Sequence, residues 1–169
     1  MGSGDSPIRS PQDKEVPMSS KIHGLNIIPL RKIPDERGTI MHMLRADAPH
    51  FDKFGEVYFA TAYPGVIKAW HLHTKQAQNY CCIQGMIKLV CYDDRADSPT
   101  KGVLQEIVMG DLNYVLVQIP PLLINGWKCI GTQTALLANC ADMPHDPTEM
   151  KRIDPFDPAI PYDWALKHG

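Results

Sequence analysis

Gly65-Val66-Ile67-Lys68-Ala69-Trp70-His71-Leu72-His73, followed by Gln78 and by the Gln84-Gly85 pair, is the stretch on which the fold turns. It sets two histidines one residue apart between a glycine that opens a strand and a glycine that turns the next hairpin. Alternate residues of a strand share a face. Regular alternation therefore predicts Ala69, His71 and His73 on one face, with Lys68, Trp70 and Leu72 on the other. Two imidazoles and a carboxamide converging inside a small β-barrel can hold a metal, transfer a proton, or serve as satisfied interior polar groups.

The flanking sequence reads as more strands. Asn26–Leu30, Thr39–Leu44, Glu56–Tyr63, Asn79–Ile83, Met86–Asp93, Glu106–Met109, Tyr114–Ile119, Trp127–Ile130 and Ala135–Cys140 are short apolar or alternating runs. They are bounded by Pro34-Asp35-Glu36-Arg37-Gly38, Pro64-Gly65, Gly110-Asp111, Pro120-Pro121 and Gly131-Thr132. Strands spaced about ten residues apart, with no amphipathic helix between them, predict an all-β antiparallel sandwich or barrel. Residues 1–20 are rich in Ser, Pro and charge with no apolar period, and read as a disordered or expression-derived tail ahead of one domain over 21–169. Beyond Pro144 the chain is Pro- and Asp-rich and reads as an extended surface segment, with Pro161-Tyr162-Asp163-Trp164 packing back on the body.

Composition narrows the function classes. The 169 residues suffice for one buried core, and 44% hydrophobic with 21% charged residues is ordinary for a globular protein. A net charge of -2 gives no footprint for nucleic acid or an anionic membrane. No apolar run approaches the roughly 20 residues of a membrane helix, and no secretory signal is visible. The expected setting is cytoplasmic. Cys81, Cys82, Cys91, Cys129 and Cys140 lack a C-x-x-C pair and lie in apolar runs, so they read as buried thiols.

The frame from Gly65 to Gly85 resembles the first signature of the cupins, with Gln78 where that signature has Glu. The second signature matches Gly110 through Pro120-Pro121-Leu122-Leu123-Ile124-Asn125. There Leu122 takes the place of a Gly, and Asn125 that of a third metal His. His71 and His73 are the metal candidates, but beside the neutral amides Gln78 and Asn125 they make a poor set for zinc or iron.

From Ile22 to Trp164 the chain is similar to the dTDP-4-dehydrorhamnose 3,5-epimerase family, the metal-free branch of the cupins. The resemblance rests on Asp35-Glu36-Arg37-Gly38, Gly65–His71, Gln84-Gly85, the loop Asp93–Thr100, Ile119-Pro120-Pro121, Gly126-Trp127 and Ile160–Trp164. It implies a cupin-type double-stranded β-helix, a jelly-roll sandwich. It also implies a homodimer exchanging an N-terminal strand, no cofactor, and a nucleotide-diphosphate sugar as partner. That family abstracts protons beside the 4-keto group of a nucleotide-linked 6-deoxyhexose, for which a neutral His is a suitable base. His71 matches the base. Lys68 matches a basic residue next to the substrate, which requires a bulge that breaks the alternation. Glu36 and Arg37 match the turn that reaches the nucleotide.

Four family positions differ. Asn125 stands where the family has a second active-site His, and Gln78 where it has the enolate-stabilising Lys. Ala138 or Asn139 occupies the place of its tyrosine acid. The Asp that orients the base lies in a C-terminal segment of the family that finds no match here. His73 could serve as a second base or acid, Tyr58, Tyr63, Tyr80 and Tyr114 as donors, and Gln78 and Asn125 as hydrogen-bonding groups for the sugar. Three functions stay open: a 3- and/or 5-epimerase or 3,4-ketoisomerase, a catalytically silent nucleotide-sugar binder, and a metal-dependent cupin.

Overall fold

β-branched, aromatic and cysteine-containing runs between Gly and Pro turns become twelve strands in the computed structural model, which describes residues 18–167. The tail expected over 1–20 lies outside the described residues as far as residue 17; Met18 already bridges Ile27. The strands are β1 (Asn26–Pro29), β2 (Lys32–Asp35), β3 (Gly38–Met41), β4 (Glu56–Ala62), β5 (Ile67–His73), β6 (Gln78–Gln84), β7 (Met86–Tyr92), β8 (Leu104–Gly110), β9 (Val115–Ile119), β10 (Ile124–Cys129), β11 (Ala135–Ala141) and β12 (Met150–Arg152). Among the described residues there is no helix, and so none long and apolar enough to cross a membrane.

Two five-stranded antiparallel sheets face each other, in the orders β1-β9-β6-β11-β4 and β12-β5-β10-β7-β8, while β2 and β3 form a separate hairpin. This is the expected jelly roll. Between the sheets lies a core of Tyr80, Cys82, Ile87, Leu89, Cys91, Met109, Val115, Val117, Trp127 and Leu137. Four of the five cysteines, Cys81, Cys82, Cys91 and Cys129, are buried as free thiols, while Cys140, expected to be buried too, is only partly so. Burial pushes Cys81 up to about 11 and Cys82 up to about 12, as expected of small hydrophobes rather than nucleophiles.

Two readings of the sequence are corrected. Residues 150–152 of the extended surface segment form a paired strand that the sequence did not predict: β12 pairs with the free edge of β5, setting Met150 opposite His73, Lys151 opposite Leu72 and Arg152 opposite His71. Regular alternation along β5 also fails. Asn125 pairs with His71 but Trp127 with Lys68, so three residues of β5 are spanned by two of β10. This bulge adds one residue and turns Lys68 to the same side as His71. Ala69 and Trp70 both go to the outer face, where the Ala69–Trp70 peptide is cis. Gly126 lies under Ala69: a Cβ built on it would come 2.3 Å from the Ala69 Cβ, so only glycine allows this approach.

The C-terminal segment packs back as expected. Ile160 and Trp164 join Trp70, Val90 and Ile124 in a second apolar cluster on the outer face of the β5 sheet.

Candidate active site

The bulge gathers the polar residues of β5 at one end of the sandwich. A cleft of about 410 Å³ opens there between the sheets. One wall carries Lys68, His71 and His73 of β5, Trp127 of β10, and Met150 and Arg152 of β12. The other carries Glu56, Tyr58 and Ala60 of β4, Tyr80 of β6 and Leu137 of β11, with Gln76 and His145 at the margins. Leu72, on the opposite side of β5, faces a separate open groove with Arg95 and Leu122.

The two imidazoles have different surroundings. His73 donates from Nδ1 to Glu149 Oε1 at 2.5 Å. Glu149 is almost fully buried, and its Oε2 accepts the backbone N–H of Thr74, Lys75 and Gln76 at 2.9, 3.1 and 3.3 Å. Burial alone would raise the Glu149 pKa; the hydrogen bonds from His73 and from the Lys75 and Gln76 amides outweigh it, and the carboxyl lies below its ordinary value. Neither oxygen is spare, and the imidazole is held with Nε2 away from the carboxylate. The Nδ1 of His71, in contrast, is buried without a protein hydrogen-bond partner. Burial first, then the charges of His73, Arg152 and Lys68, push His71 down to about 4.

Two cations flank His71. The Lys68 ammonium sits 5.6 Å from the centre of the Trp127 ring. Arg152 has no ion-pair partner among the described residues. Across the cleft, Tyr58 and Tyr80 stand on either side of Asn139, the register partner of both. Burial, and secondarily the neighbouring Tyr58 phenol, push Tyr80 well above 10, so it stays protonated at neutral pH.

The remaining expected residues fall in different places. Gln78 is fully buried behind Gln76, to which it donates at 2.7 Å, and it accepts from Asn139 Nδ2 at 3.4 Å. Asn125 faces inward opposite His71, and its Oδ1 is buried without a protein partner. Leu122, where the cupin signature has Gly, takes φ 65° and donates its N–H to His73 O at 2.6 Å. Arg37 forks onto its neighbour Asp35 on the exposed β2–β3 hairpin and lines neither cavity, nor does Glu36. Tyr63 is exposed, and Tyr114 donates to His42 O on the far side of the β9 sheet. Among the described residues no three His, Cys, Asp or Glu side chains converge as metal ligands. Glu149 and Arg152 were not singled out by sequence: a three-residue strand has no period to read.

His71 also ties stability to pH. It stays neutral in the fold down to about pH 4, while in the unfolded chain it takes up a proton near 6.5. The unfolded state therefore binds more protons between these values. His71 costs nothing above pH 6.5, and stability falls as pH drops from 6.5 towards 4, by ~2 kcal/mol at pH 5. Urea unfolding of wild type and His71→Gln at pH 7.5 and 5 should show this extra loss in the wild type only; identical pH slopes would refute it.

A jelly roll of the cupin type thus carries imidazoles and cations on one wall of a cleft and phenols on the other, groups whose chemistry suits acid–base work. The chain belongs to the dTDP-4-dehydrorhamnose 3,5-epimerase family, whose sequence profile matches residues 19–168. It is 37% identical over 145 residues to the "Probable low-salt glycan biosynthesis epimerase Agl13" of Haloferax volcanii, covering 84% of this chain and 89% of that protein. The "Spore coat polysaccharide biosynthesis protein SpsL" of Bacillus subtilis is 33% identical over 145 residues, covering 85% and 96%. The crystal structure of a dTDP sugar isomerase from Desulfovibrio desulfuricans superposes with a TM-score of 0.85 at 40% identity, covering 88% of this chain and 95% of that one.

Proposed function

We propose that this protein is an epimerase acting by proton abstraction on a nucleotide-linked 4-keto-6-deoxy sugar, at C3, C5 or both. Family membership supports the reaction class, and the names of its relatives support a setting in glycan or polysaccharide synthesis. The observation that carries the reading is the opposition of two walls. The imidazoles of β5, with Lys68 and Arg152, face the phenols of Tyr58 and Tyr80 across the cleft.

A ketone acidifies the hydrogens on both neighbouring carbons. An imidazole on one wall can take such a proton, cations beside the keto oxygen lower the energy of the enolate, and a donor on the opposite wall can return a proton to the other face. His71 stands at the family's base position and Asn125 beside it. In this reading Gln78 supports the pocket through Gln76. Glu36 and Arg37 reach the nucleotide diphosphate of a second protomer within a cytoplasmic homodimer, since a guanidinium on a projecting hairpin suits a diphosphate.

The test is solvent exchange. With dTDP- or UDP-linked 4-keto-6-deoxyglucose in deuterated water, deuterium should enter at C3, C5 or both above the buffer rate, read by NMR and mass spectrometry. Tight binding without exchange would leave a silent nucleotide-sugar binder instead.

A further inference from the structure

A general base for carbon acids needs a lone pair aimed at the substrate, a fixed tautomer, and a neighbour that stabilises the positive charge it acquires. His73 meets the last two through one contact. The Glu149 carboxylate accepts a hydrogen bond from Nδ1–H, which leaves Nε2 as the acceptor, and it faces the ring with a negative charge. Three backbone amides clamp the other carboxylate oxygen, so the carboxylate itself is fixed. His71, two residues away on the same wall, has neither: its Nδ1 is unpartnered and its neighbours Lys68 and Arg152 are cations, which oppose protonation.

We propose that His73, positioned by Glu149, is the general base of this cleft, and that His71, Lys68 and Arg152 surround the keto oxygen. The assignment rests on the epimerase reading above. In the first step the C–H bond beside the ketone breaks and its proton passes to His73 Nε2. The electron pair forms the carbon–carbon double bond of the enolate, and the carbonyl π pair moves onto O4. Lys68 and Arg152 offset the charge on O4, and a neutral His71 donates a hydrogen bond to it, worth most in a cleft that excludes water. A proton from a phenol of the facing wall, or back from His73 Nε2, forms the new C–H bond as the O4 electron pair reforms the ketone. Exchange with solvent resets His73 and the donor, so no oxidant, metal or second substrate is consumed. Glu149 touches no substrate atom and acts through His73. β12 is thus part of the machinery: its pairing with β5 places Arg152 opposite His71 and brings Glu149 against His73.

Deuterium wash-in into dTDP-4-keto-6-deoxyglucose tests this with wild type, His73→Ala, His71→Ala and Glu149→Gln. His73→Ala should lose ~10²-fold or more in kcat. Added imidazole, which can enter the vacated space, should restore much of it, because a missing base can be supplied from solution. His71→Ala should lose rate without imidazole rescue, because a missing donor to O4 is not replaced by a free base. Glu149→Gln should lower kcat at least about tenfold with KM within about threefold of wild type. A merely structural role for Glu149 would instead lower the melting temperature and raise KM together, and that result overturns the positioning role. Rescue of His71→Ala in place of His73→Ala, or near-wild-type exchange by His73→Ala or by the milder His73→Asn, overturns the assignment of the base and leaves the epimerase reading standing. Absence of exchange by the wild type with the dTDP-linked and also with the UDP-linked 4-keto-6-deoxyglucose overturns both the base assignment and the epimerase reading.

Discussion

Replacing Tyr58 and Tyr80 together with phenylalanine is expected to slow inversion of the sugar ~10²-fold or more, while deuterium still washes into recovered substrate. The two steps of an epimerisation use opposite faces of the ring. In the proposed reaction the imidazole wall of β5 removes the proton, and the enolate then needs a proton from the wall of β4, β6 and β11. The resemblance puts a tyrosine at Ala138 or Asn139, and neither residue can supply an acidic hydrogen. The structure sets a phenol on each strand beside that point instead, Tyr58 on β4 and Tyr80 on β6, both in register with Asn139 and both in the cleft. Tyr80 is held protonated by burial and by Tyr58, the state a donor requires. Without the phenols the enolate can recover a proton only from the imidazole side, which returns the starting configuration with solvent deuterium in it. The single variants identify which phenol acts. The ratio of exchange to inversion, read by NMR, decides the matter: a ratio unchanged in the double variant would remove the tyrosines from the reaction. A Tyr→Phe change deletes only a hydroxyl, so the fold should hold.

What could be read from the sequence, and what could not, divides along physical lines. The Gly65–Gly85 frame, the Gln84-Gly85 hairpin and the inward pairing of His71 with His73 depend on local turn chemistry and on the two-residue period of a strand. Both are written in consecutive residues. The orientation of Lys68 is not, because it depends on how many residues of β10 span a given length of β5, which is a property of two strands together. The partnership of Tyr58 and Tyr80 likewise arises only once β4 and β6 flank β11. Glu149 and Arg152 lie in a stretch whose prolines and aspartates read as loop, since three paired residues are too few to show alternation. Contacts that join residues 70 or more positions apart, such as His73 with Glu149, leave no trace in either segment alone.

Trp164→Ala should cost ~3–5 kcal/mol of unfolding free energy, a large share of what a domain of this size has. The Trp164 ring is buried, 4.8 Å from Trp70 and 4.7 Å from Tyr162, and its Nε1 and that of Trp70 both donate to Pro155 O, at 3.1 and 3.2 Å. The Tyr162 hydroxyl donates to Glu106 Oε1 at 2.6 Å, and Lys128 Nζ donates to Trp164 O at 2.7 Å. These contacts fasten the chain after β12 to the outer face of β5, where Trp70 and Ile153 exchange backbone hydrogen bonds at 2.9 and 3.0 Å. β12 is only three residues long and pairs on one side alone, so its place in the sheet depends on this clasp. Loosening it should therefore reach the inner face of the same strand, freeing Arg152 and the His73–Glu149 contact. The expected result is a melting temperature lower by ~6–20 °C, faster amide hydrogen exchange over residues 149–153, and slower substrate exchange even at temperatures where the rest of the fold is intact. Trp164→Phe, which keeps most of the packing and loses the hydrogen bond, should fall between. If the alanine variant melts lower but its amides over 149–153 stay as protected as in wild type, β12 holds its place without the clasp, and the outer aromatic cluster serves stability alone.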